Sequence, residues 1–224
     1  MIILRRRAKM VLETFFMKTK ILHKVLPTND LIIRSALKED LRRRYARNKK
    51  LRIIEELGVQ HGTARIDIAV VNGTMHGYEI KSDQDTLKRL PEQMDIFNSV
   101  FDKMTLIVGK NHLYEAINIV PDWWGIVIAK INKNGSVIFS RIRRTEINKN
   151  QNSVSVAKLL WREEALRILE EEGEAKGFYS KPRNLIYEKL AIVLDQKTLG
   201  DKVREAIFVR EDWRPDAPLV LNGG

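Results

Sequence analysis

Cysteine is absent from this chain of 224 residues, and histidine occurs only four times. Without thiols the chain cannot form a disulfide scaffold, a thiolate zinc site, an iron–sulfur cluster or a cysteine nucleophile. No apolar run approaches the roughly 18 residues that a membrane-spanning helix requires. The composition therefore predicts a soluble, cytoplasmic protein with an ordinary hydrophobic core, built as one large domain or as one domain with an appendage.

Acidic residues are scarce in the first 50 positions, which hold 15 Lys and Arg against 4 Asp and Glu. The other 174 residues hold 25 of each sign, so the net charge of +11 belongs to the first 50. A local excess of positive charge favours a polyanionic partner, either nucleic acid or an anionic membrane surface. The candidate nucleic-acid contacts are Arg42, Arg43, Arg44 and Arg47, with Arg65 further along the chain.

Hydrophobic spacing divides the chain into helices and strands. The predicted helices cover residues 29–58, 84–101, 112–118, 154–172, 183–195 and 199–209; the predicted strands cover 64–71, 75–82, 105–109, 124–131 and 137–142. This order predicts an α/β fold with a mixed sheet, an added β-hairpin and a helical C-terminal appendage. We place a basic extension at 1–28, the α/β core at 29–150 and the appendage at 151–224, with the boundary in the polar segment 148–152.

The first predicted hairpin carries an acid on one strand and an acid-x-Lys sequence on the other. Strand alternation places Glu79 and Lys81 on one face of the sheet. A two-residue turn would set Asp67 opposite Tyr78, whereas a three-residue turn centred on Gly73 sets Asp67 opposite Glu79. We predict a turn of odd length, of which the three-residue turn with a positive φ at Gly73 is the simplest, or a β-bulge.

Two carboxylates and an ammonium group on one face suit a hard cation bound through oxygen atoms, and Mg²⁺ is the natural choice, with Mn²⁺ as its substitute. The ordinary alternative is a ladder of salt bridges on a solvated strand face. The acid-x-Lys pattern also occurs at Asp195 to Lys197 and at Glu174 to Lys176, so the short pattern is weak by itself. Its strand context is what favours a metal site.

The order of a helix, a hairpin with Asp67 and then Glu79-Ile80-Lys81, a helix and an apolar strand resembles the core of the PD-(D/E)XK nuclease superfamily. The resemblance covers about residues 29–142, and the fuller motif from Gly77 to Asp83 is similar to a group of largely uncharacterised bacterial and phage-borne proteins in that superfamily. It implies a restriction-endonuclease-like αβββαβ core. It also implies Mg²⁺-dependent hydrolysis of phosphodiester bonds, with DNA as the expected substrate and 5′-phosphate products.

The same resemblance assigns roles to individual residues. Asp67 and Glu79, helped by the Ile80 carbonyl, would hold Mg²⁺, and Lys81 would be the catalytic lysine. Glu56, expected near the end of the first helix, would add a metal or water ligand, and Gln93 matches a glutamine of some exonuclease-like branches. The chain departs from the pattern in two places, since Phe97 stands where those branches have tyrosine and Ile66 stands where proline is common.

Other side chains have more ordinary interpretations. We expect His76 to point away from Glu79, Asp83 and Asp85 to cap the next helix, and Trp123-Trp124 to belong to the core. His61 lies in a turn from which it could touch substrate. The last two predicted helices have the spacing of a helix-turn-helix, but a small bundle is the simpler interpretation. The rival hypothesis is a non-catalytic protein that keeps the nuclease fold and binds nucleic acid or a partner, and a homodimer stays open.

Overall fold

The structure is a computed structural model that describes residues 27–48 and 50–210. These residues form one six-stranded mixed sheet with helices on both faces, which confirms the expected α/β class. The elements, in chain order, are α1 (Asp30–Arg44), β1 (Arg52–Val59), β2 (Ala64–Val71), β3 (Met75–Lys81), α2 (Leu90–Asn98), β4 (Lys103–Gly109), a 3-10 turn (Lys110–His112), α3 (Leu113–Ile119), β5 (Gly125–Ile131), β6 (Val137–Arg143), α4 (Ser153–Ala157), α5 (Arg162–Glu171), α6 (Arg183–Val193) and α7 (Gln196–Val209). The predicted basic extension lies almost entirely outside the described residues.

The strands follow one another across the sheet in the order β1-β2-β3-β4-β5-β6. The central strands β3, β4 and β5 are parallel, and the outer pairs β1–β2, β2–β3 and β5–β6 are antiparallel. Each parallel step needs a crossover, which α2 supplies between β3 and β4, and α3 supplies between β4 and β5. The carboxyl ends of three parallel strands therefore meet at one edge of the sheet.

The first helix is shorter than its hydrophobic spacing predicts. It ends at Arg44, and residues 52–59, predicted as its last turns, form the edge strand β1. Leu57 pairs with Ile66 and Val59 with Ala64 in an antiparallel ladder. An apolar run rich in branched residues suits both a helix face and a pleated surface, and here the neighbouring strand β2 favours the strand. The predicted extension of the first helix to residue 58 is therefore wrong, and residues 52–59 instead add a strand beside the first hairpin.

Two further helix boundaries differ from prediction. The helix after the motif begins at Leu90 instead of residue 84, with Pro91 in its first turn. The predicted helix 154–172 is two helices, because Trp161 has an extended conformation (φ −71°, ψ 157°) that separates α4 from α5. The second predicted hairpin is confirmed, with Gly135 at φ 79° in its turn.

Each face of the sheet is covered by its own hydrophobic layer. On one face α1 packs Ile33, Leu37 and Leu41 against Tyr78 and Ile80 of β3. On the other face α2, α3 and the C-terminal helices share one continuous core with the sheet. Each fully buried aliphatic side chain contributes roughly 1.5–3 kcal/mol, so both layers stabilise the sheet substantially. Among the described residues, no helix combines the length and apolarity needed to cross a membrane.

The polar segment 148–152 is hydrogen-bonded to the core. The Asn148 amide donates to the carbonyl oxygens of Asn98 and Phe101, at 2.7 and 3.0 Å. Gln151 donates to the carbonyl of Val100, and Asn152 caps α4 through its side chain. The segment that we predicted as a domain boundary is thus attached to the loop that follows α2.

Candidate metal centre

The hairpin between β2 and β3 has the predicted register. Val71 pairs with Met75 and Ile68 with Tyr78, and Gly73 has a φ of 94° in the turn between the strands. Only glycine adopts that conformation without a steric penalty. The three-residue turn places Asp67 and Glu79 at the same level on neighbouring strands.

The ladder between β2 and β3 is replaced by a side-chain hydrogen bond at the level of Asp67. Regular pairing reaches Ile68 and Tyr78, and beyond it the Asp67 carboxylate accepts a hydrogen bond from the backbone N–H of Ile80 at 2.6 Å. Its Oδ2 atom therefore occupies the position that a backbone acceptor would take. This geometry holds Asp67 beside the Glu79-Ile80-Lys81 sequence.

Glu79 is a buried carboxylate with only one oxygen satisfied. Its side chain is 2% exposed, and Oε1 accepts a hydrogen bond from Lys81 Nζ at 2.7 Å. Within the described part of the chain, Glu79 Oε2 has no partner at hydrogen-bond geometry, although the nearby Gln93 side chain acts to lower the pKa of Glu79. Lys81 Nζ also donates to Gln93 Oε1 on α2 at 3.1 Å. The structure thus brings Asp67, Glu79, Lys81 and Gln93 together, as we expected from the sequence.

The two carboxyl groups disfavour each other's ionisation. Burial, followed by the nearby charge of Asp67, raises the pKa of Glu79 to about 8 in spite of Lys81. Burial also raises the pKa of Asp67 to about 6, although the charge of Arg34 and the Ile80 N–H act in the opposite direction. A site that raises the pKa of two adjacent acids is a favourable environment for a bound cation, because the cation stabilises both charges.

Arg34 is a member of this cluster that the sequence analysis missed. From the second turn of α1 its guanidinium pairs with Asp67 Oδ1 at 2.6 Å, with Asp30 at 3.1 Å and with Glu56. Burial opposes its charge, but these acids raise the pKa of Arg34 above its usual value. The spacing from Asp30 to Arg34 indicates only a pair within the helix, so nothing in the local sequence shows the contact with β2.

Glu56 approaches the cluster from β1 and not from a helix end. It lies between the pairs Glu55–Ile68 and Leu57–Ile66, opposite Asp67, and has a φ of 51°. A non-glycine residue in this conformation costs on the order of 1–3 kcal/mol and marks a functional or strained position. The Glu56 side chain is 47% exposed and pairs with Arg34. The carboxylate that we expected as an extra metal ligand is therefore held by Arg34.

The donor set fits Mg²⁺ in its usual protein environment. Among the residues described, no group of three or more His, Cys, Asp and Glu side chains converges as a metal site. Mg²⁺ seldom needs such a group, since it commonly binds one or two carboxylates and keeps water or phosphate oxygens in its other positions. Asp67 and Glu79 supply two carboxylates, and the unpartnered Glu79 Oε2 is a free acceptor. The residues present therefore suit a small oxygen-seeking cation.

The arginine cluster lies at the far end of α1. Arg34 and the N-terminal half of the helix border the candidate metal centre, and the arginine-rich C-terminal end does not. A separation of ten residues places Arg44 roughly 15 Å further along the helix axis. Arg42, Arg43, Arg44 and Arg47 are exposed, and Asp40 pairs with Arg43 and Arg44. Arg65 is half-buried on β2 opposite Gly58.

Asp83 and Asp85 do not cap α2, contrary to expectation. Asp83 accepts hydrogen bonds from the N–H and hydroxyl of Thr28, both at 2.9 Å, and from the N–H of Asn111 at 3.0 Å. These bonds lower the pKa of Asp83 against the effect of burial. Asp85 accepts from the N–H and hydroxyl of Ser82. The two acids instead fix the end of β3 against the start of α1 and the 3-10 turn.

The remaining side chains largely follow their ordinary interpretations. His76 shares the α1 face with Tyr78, on the opposite side of β3 from Glu79, as predicted. Trp124 is fully buried in the core and donates to Asn98 Oδ1 at 2.8 Å. The His61 ring lies 5.6 Å from the Tyr187 ring of α6, in a turn that packs against the C-terminal helices.

Fold and site together define a mixed α/β protein with a carboxylate–lysine cluster on the neighbouring strands β2 and β3. The chain belongs to the bacteriophage P4 protein cII family, whose model matches residues 27–213. It is 31% identical over 156 residues to protein cII of Enterobacteria phage P4, covering 70% of this chain and 56% of that protein. The chain thus spans a little over half the length of this curated relative. Among solved structures, a protein of unknown function from Silicibacter pomeroyi, SPO1766, matches 60% of this chain and 87% of its own, at 19% identity and a TM-score of 0.34.

Proposed function

We propose that this protein is a Mg²⁺-dependent nuclease that hydrolyses phosphodiester bonds of nucleic acid. The observation that carries the proposal is the buried Glu79 carboxylate, whose Oε2 has no partner among the described residues and lies beside a second acid, Asp67. An unpaired buried carboxylate oxygen is costly in a folded protein. A divalent cation shared by the two acids removes that cost. The order of helix, three strands, helix and strand supports the resemblance to PD-(D/E)XK nucleases.

Each polar group of the cluster has a role in this proposal. Asp67 and Glu79, with the Ile80 carbonyl, would hold the cation, and a bound cation would supply Lewis acidity toward a water and the phosphate. Lys81 has three N–H donors, and two of them are directed to Glu79 and Gln93. The third is left to donate to the attacking water or to a phosphate oxygen, where positive charge stabilises the transition state. Gln93 fixes the Lys81 ammonium in place.

Positive charge supports a polyanionic substrate. The net charge of +11 comes from the first 50 residues, and the arginines of the α1 C-terminal region are exposed. Lys and Arg side chains of this kind bind phosphates without regard to base sequence. We take DNA as the substrate and 5′-phosphate ends as the products. The arginines then bind the backbone away from the cleavage point, since Arg34 and not Arg44 borders the cluster.

Cleavage of labelled DNA by the purified full chain tests the proposal. We expect nicking or degradation with Mg²⁺ or Mn²⁺ and none with chelator, and Lys81→Ala or Asp67→Asn should lower the rate at least about 100-fold. The matched control is Lys197→Ala, which removes the lysine of another acid-x-Lys sequence, where the side chain is 87% exposed on α7. Unchanged cleavage in both site variants would show that the cluster is not catalytic.

A second candidate function is favoured by the direct contact of Arg34 with Asp67. A guanidinium beside an acid can replace a cation as the neutralising charge, which suits a protein that keeps the fold but binds nucleic acid without cleaving it. This alternative predicts binding that weakens steeply with salt. It also predicts that calorimetric titration with Mn²⁺ gives the same result for the wild type and for Glu79→Gln. A Glu79-dependent Mn²⁺ signal together with DNA cleavage would exclude it.

A further inference from the structure

A second polar cluster lies on the α1 face of the sheet, on the other side of β3 from Glu79. It surrounds an open cavity of about 330 Å³, a size within the ordinary range of small-ligand sites. His76, in its floor, precedes Glu79 by three strand residues, roughly 10 Å along β3, and the side chains of the two residues point to opposite faces. The cavity and the candidate metal centre therefore lie on opposite faces of the sheet.

The floor of the cavity is a continuous chain of hydrogen bonds on an otherwise apolar sheet face. Tyr45 lies beside Tyr78 in the lining, and the Tyr78 hydroxyl contacts His76 Nδ1 at 3.2 Å. His76 Nε2 contacts the Thr105 hydroxyl at 2.8 Å, which in turn contacts the Thr145 hydroxyl at 2.7 Å. Burial, with the charges of Lys103 and Arg44, lowers the pKa of His76 to about 3, so the floor is neutral near pH 7.

The rim of the cavity is strongly basic. Lys103, Arg141 and Arg144 line it, and no carboxylate in residues 27–48 and 50–210 pairs with any of the three. Arg44 also lines it, and Asp40, the single acid of the lining, is paired with Arg44 and a neighbouring arginine. Unpaired cations that converge on a concave surface attract and bind anions.

Arg143 contributes less to this charge than its neighbours. Its guanidinium donates to the carbonyl oxygens of Trp124 and Pro121, at 2.7 and 2.8 Å. It thereby closes the loop before β5 against the end of β6. Arg143 is therefore a structural part of the cavity wall, unlike Lys103, Arg141 and Arg144, which have no carboxylate partner among the described residues.

The remaining wall is apolar and aromatic. Phe139, Val127, Ile107 and Leu37 line it next to the stacked His76 and Tyr78 rings, whose centroids are 4.2 Å apart. A bare inorganic anion would leave this wall without a partner. A ligand that carries a planar ring as well as an anion satisfies both parts, since rings stack on aromatic side chains and phosphate binds arginine.

We propose that this cavity is a nucleotide-binding site, in which Lys103, Arg141 and Arg144 bind a phosphate and the Tyr45–Phe139 side of the wall takes the base. The same chemistry is available from a free mononucleotide or from one nucleotide of a single strand. The site is independent of the proposed nuclease activity, because none of its residues contributes to the Asp67–Glu79 cluster.

Calorimetric titration of the full chain with 5′-AMP, adenosine and inorganic phosphate tests the proposal. We expect 5′-AMP to bind, and adenosine and phosphate alone to bind at least about tenfold more weakly, because each lacks one of the two recognised parts. The double variant Arg141→Gln/Arg144→Gln should bind 5′-AMP about tenfold or more weakly than wild type. The matched control, Arg167→Gln/Arg183→Gln, removes two exposed arginines from α5 and α6 and should bind as wild type.

A five-nucleotide single strand distinguishes the two sources. If the double variant weakens binding of this strand by the same factor as binding of 5′-AMP, the strand supplies the nucleotide. If binding of the strand is unaffected while binding of 5′-AMP is abolished, the ligand is a free nucleotide. Lys81→Ala should retain 5′-AMP binding, because Lys81 does not line the cavity. The binding test therefore remains valid even if the protein does not cleave nucleic acid. Absence of 5′-AMP and strand binding by wild type, or equal binding by the double variant, would overturn the proposal.

Discussion

The buried Glu79 carboxyl predicts an unusual dependence of stability on pH in the absence of metal. Its pKa is raised from 4.5 to about 8 by burial and by Asp67, so the folded chain holds a proton that the unfolded chain has released. A group with a raised folded pKa loses its stabilising contribution as pH rises from the unfolded pKa to the folded one. Metal-free protein should therefore lose stability between about pH 5 and pH 8.

The size of the effect follows from one proton. A difference of one bound proton between the folded and unfolded states changes the free energy of unfolding by about 1.4 kcal/mol per pH unit. Between pH 6 and pH 8 the loss amounts to about 2 kcal/mol, because the slope flattens as Glu79 ionises in the folded protein. Asp67, whose pKa is about 6, is already half ionised at the start of this window and adds only a smaller loss of the same sign. For a chain of this size the loss corresponds to a fall in Tm of about 4–8 °C.

Thermal unfolding of the wild type and Glu79→Gln, in chelator at pH 6, 7 and 8, measures the effect. Glutamine keeps the shape of Glu79 but does not ionise, and both proteins carry the same histidines, so the difference between their slopes isolates Glu79. Adding Mg²⁺ at pH 8 should raise the Tm of the wild type alone, because the cation binds the folded state. Equal slopes in the two proteins would refute the argument that Glu79 is a buried, proton-holding acid.

Two other predictions concern the substrate surface and the end of β3. The triple change of Arg42, Arg43 and Arg47 to Gln should weaken DNA binding and reduce the salt slope by about 0.9 for each phosphate that is no longer neutralised, measured by anisotropy at several salt concentrations. As a control, the triple variant should bind Mn²⁺ with the same affinity as the wild type, because these arginines lie away from the candidate metal centre. Gly109→Ala should cost about 1–3 kcal/mol and slow cleavage, because its Cβ would lie 2.5 Å from the backbone N of Asp83, two residues after Lys81. A variant with wild-type Tm and rate would contradict this packing argument.

Local chemistry explains why part of the site could be predicted. Strand alternation placed Glu79 and Lys81 on one face, and the turn preference of Gly73 set the register that brings Asp67 to the level of Glu79. Both arguments depend on residues that lie close together in the chain. The contact of Lys81 with Gln93 also spans a short separation, and it was expected only through the family resemblance.

Long-range packing explains what was predicted wrongly. The branched apolar residues of 52–59 satisfy a helix and a strand equally well, and the presence of β2 decided between them. That decision moved Glu56 from a helix end to an edge strand. Because residues 52–59 form a strand, α1 ends at Arg44, and Arg34 instead of Arg44 contacts the acids of the cluster.

Residue spacing within single chain segments was enough to establish the mixed α/β class, the turn of the first hairpin and the shared face of its acid and lysine. Three other features needed the folded chain: the end of α1, the contact of Arg34 with Asp67, and the two arginines, at the end of β6 and just after it, that line the His76 cavity. These features join residues far apart in the chain, and their free energies depend on burial and charge that exist only in the folded protein.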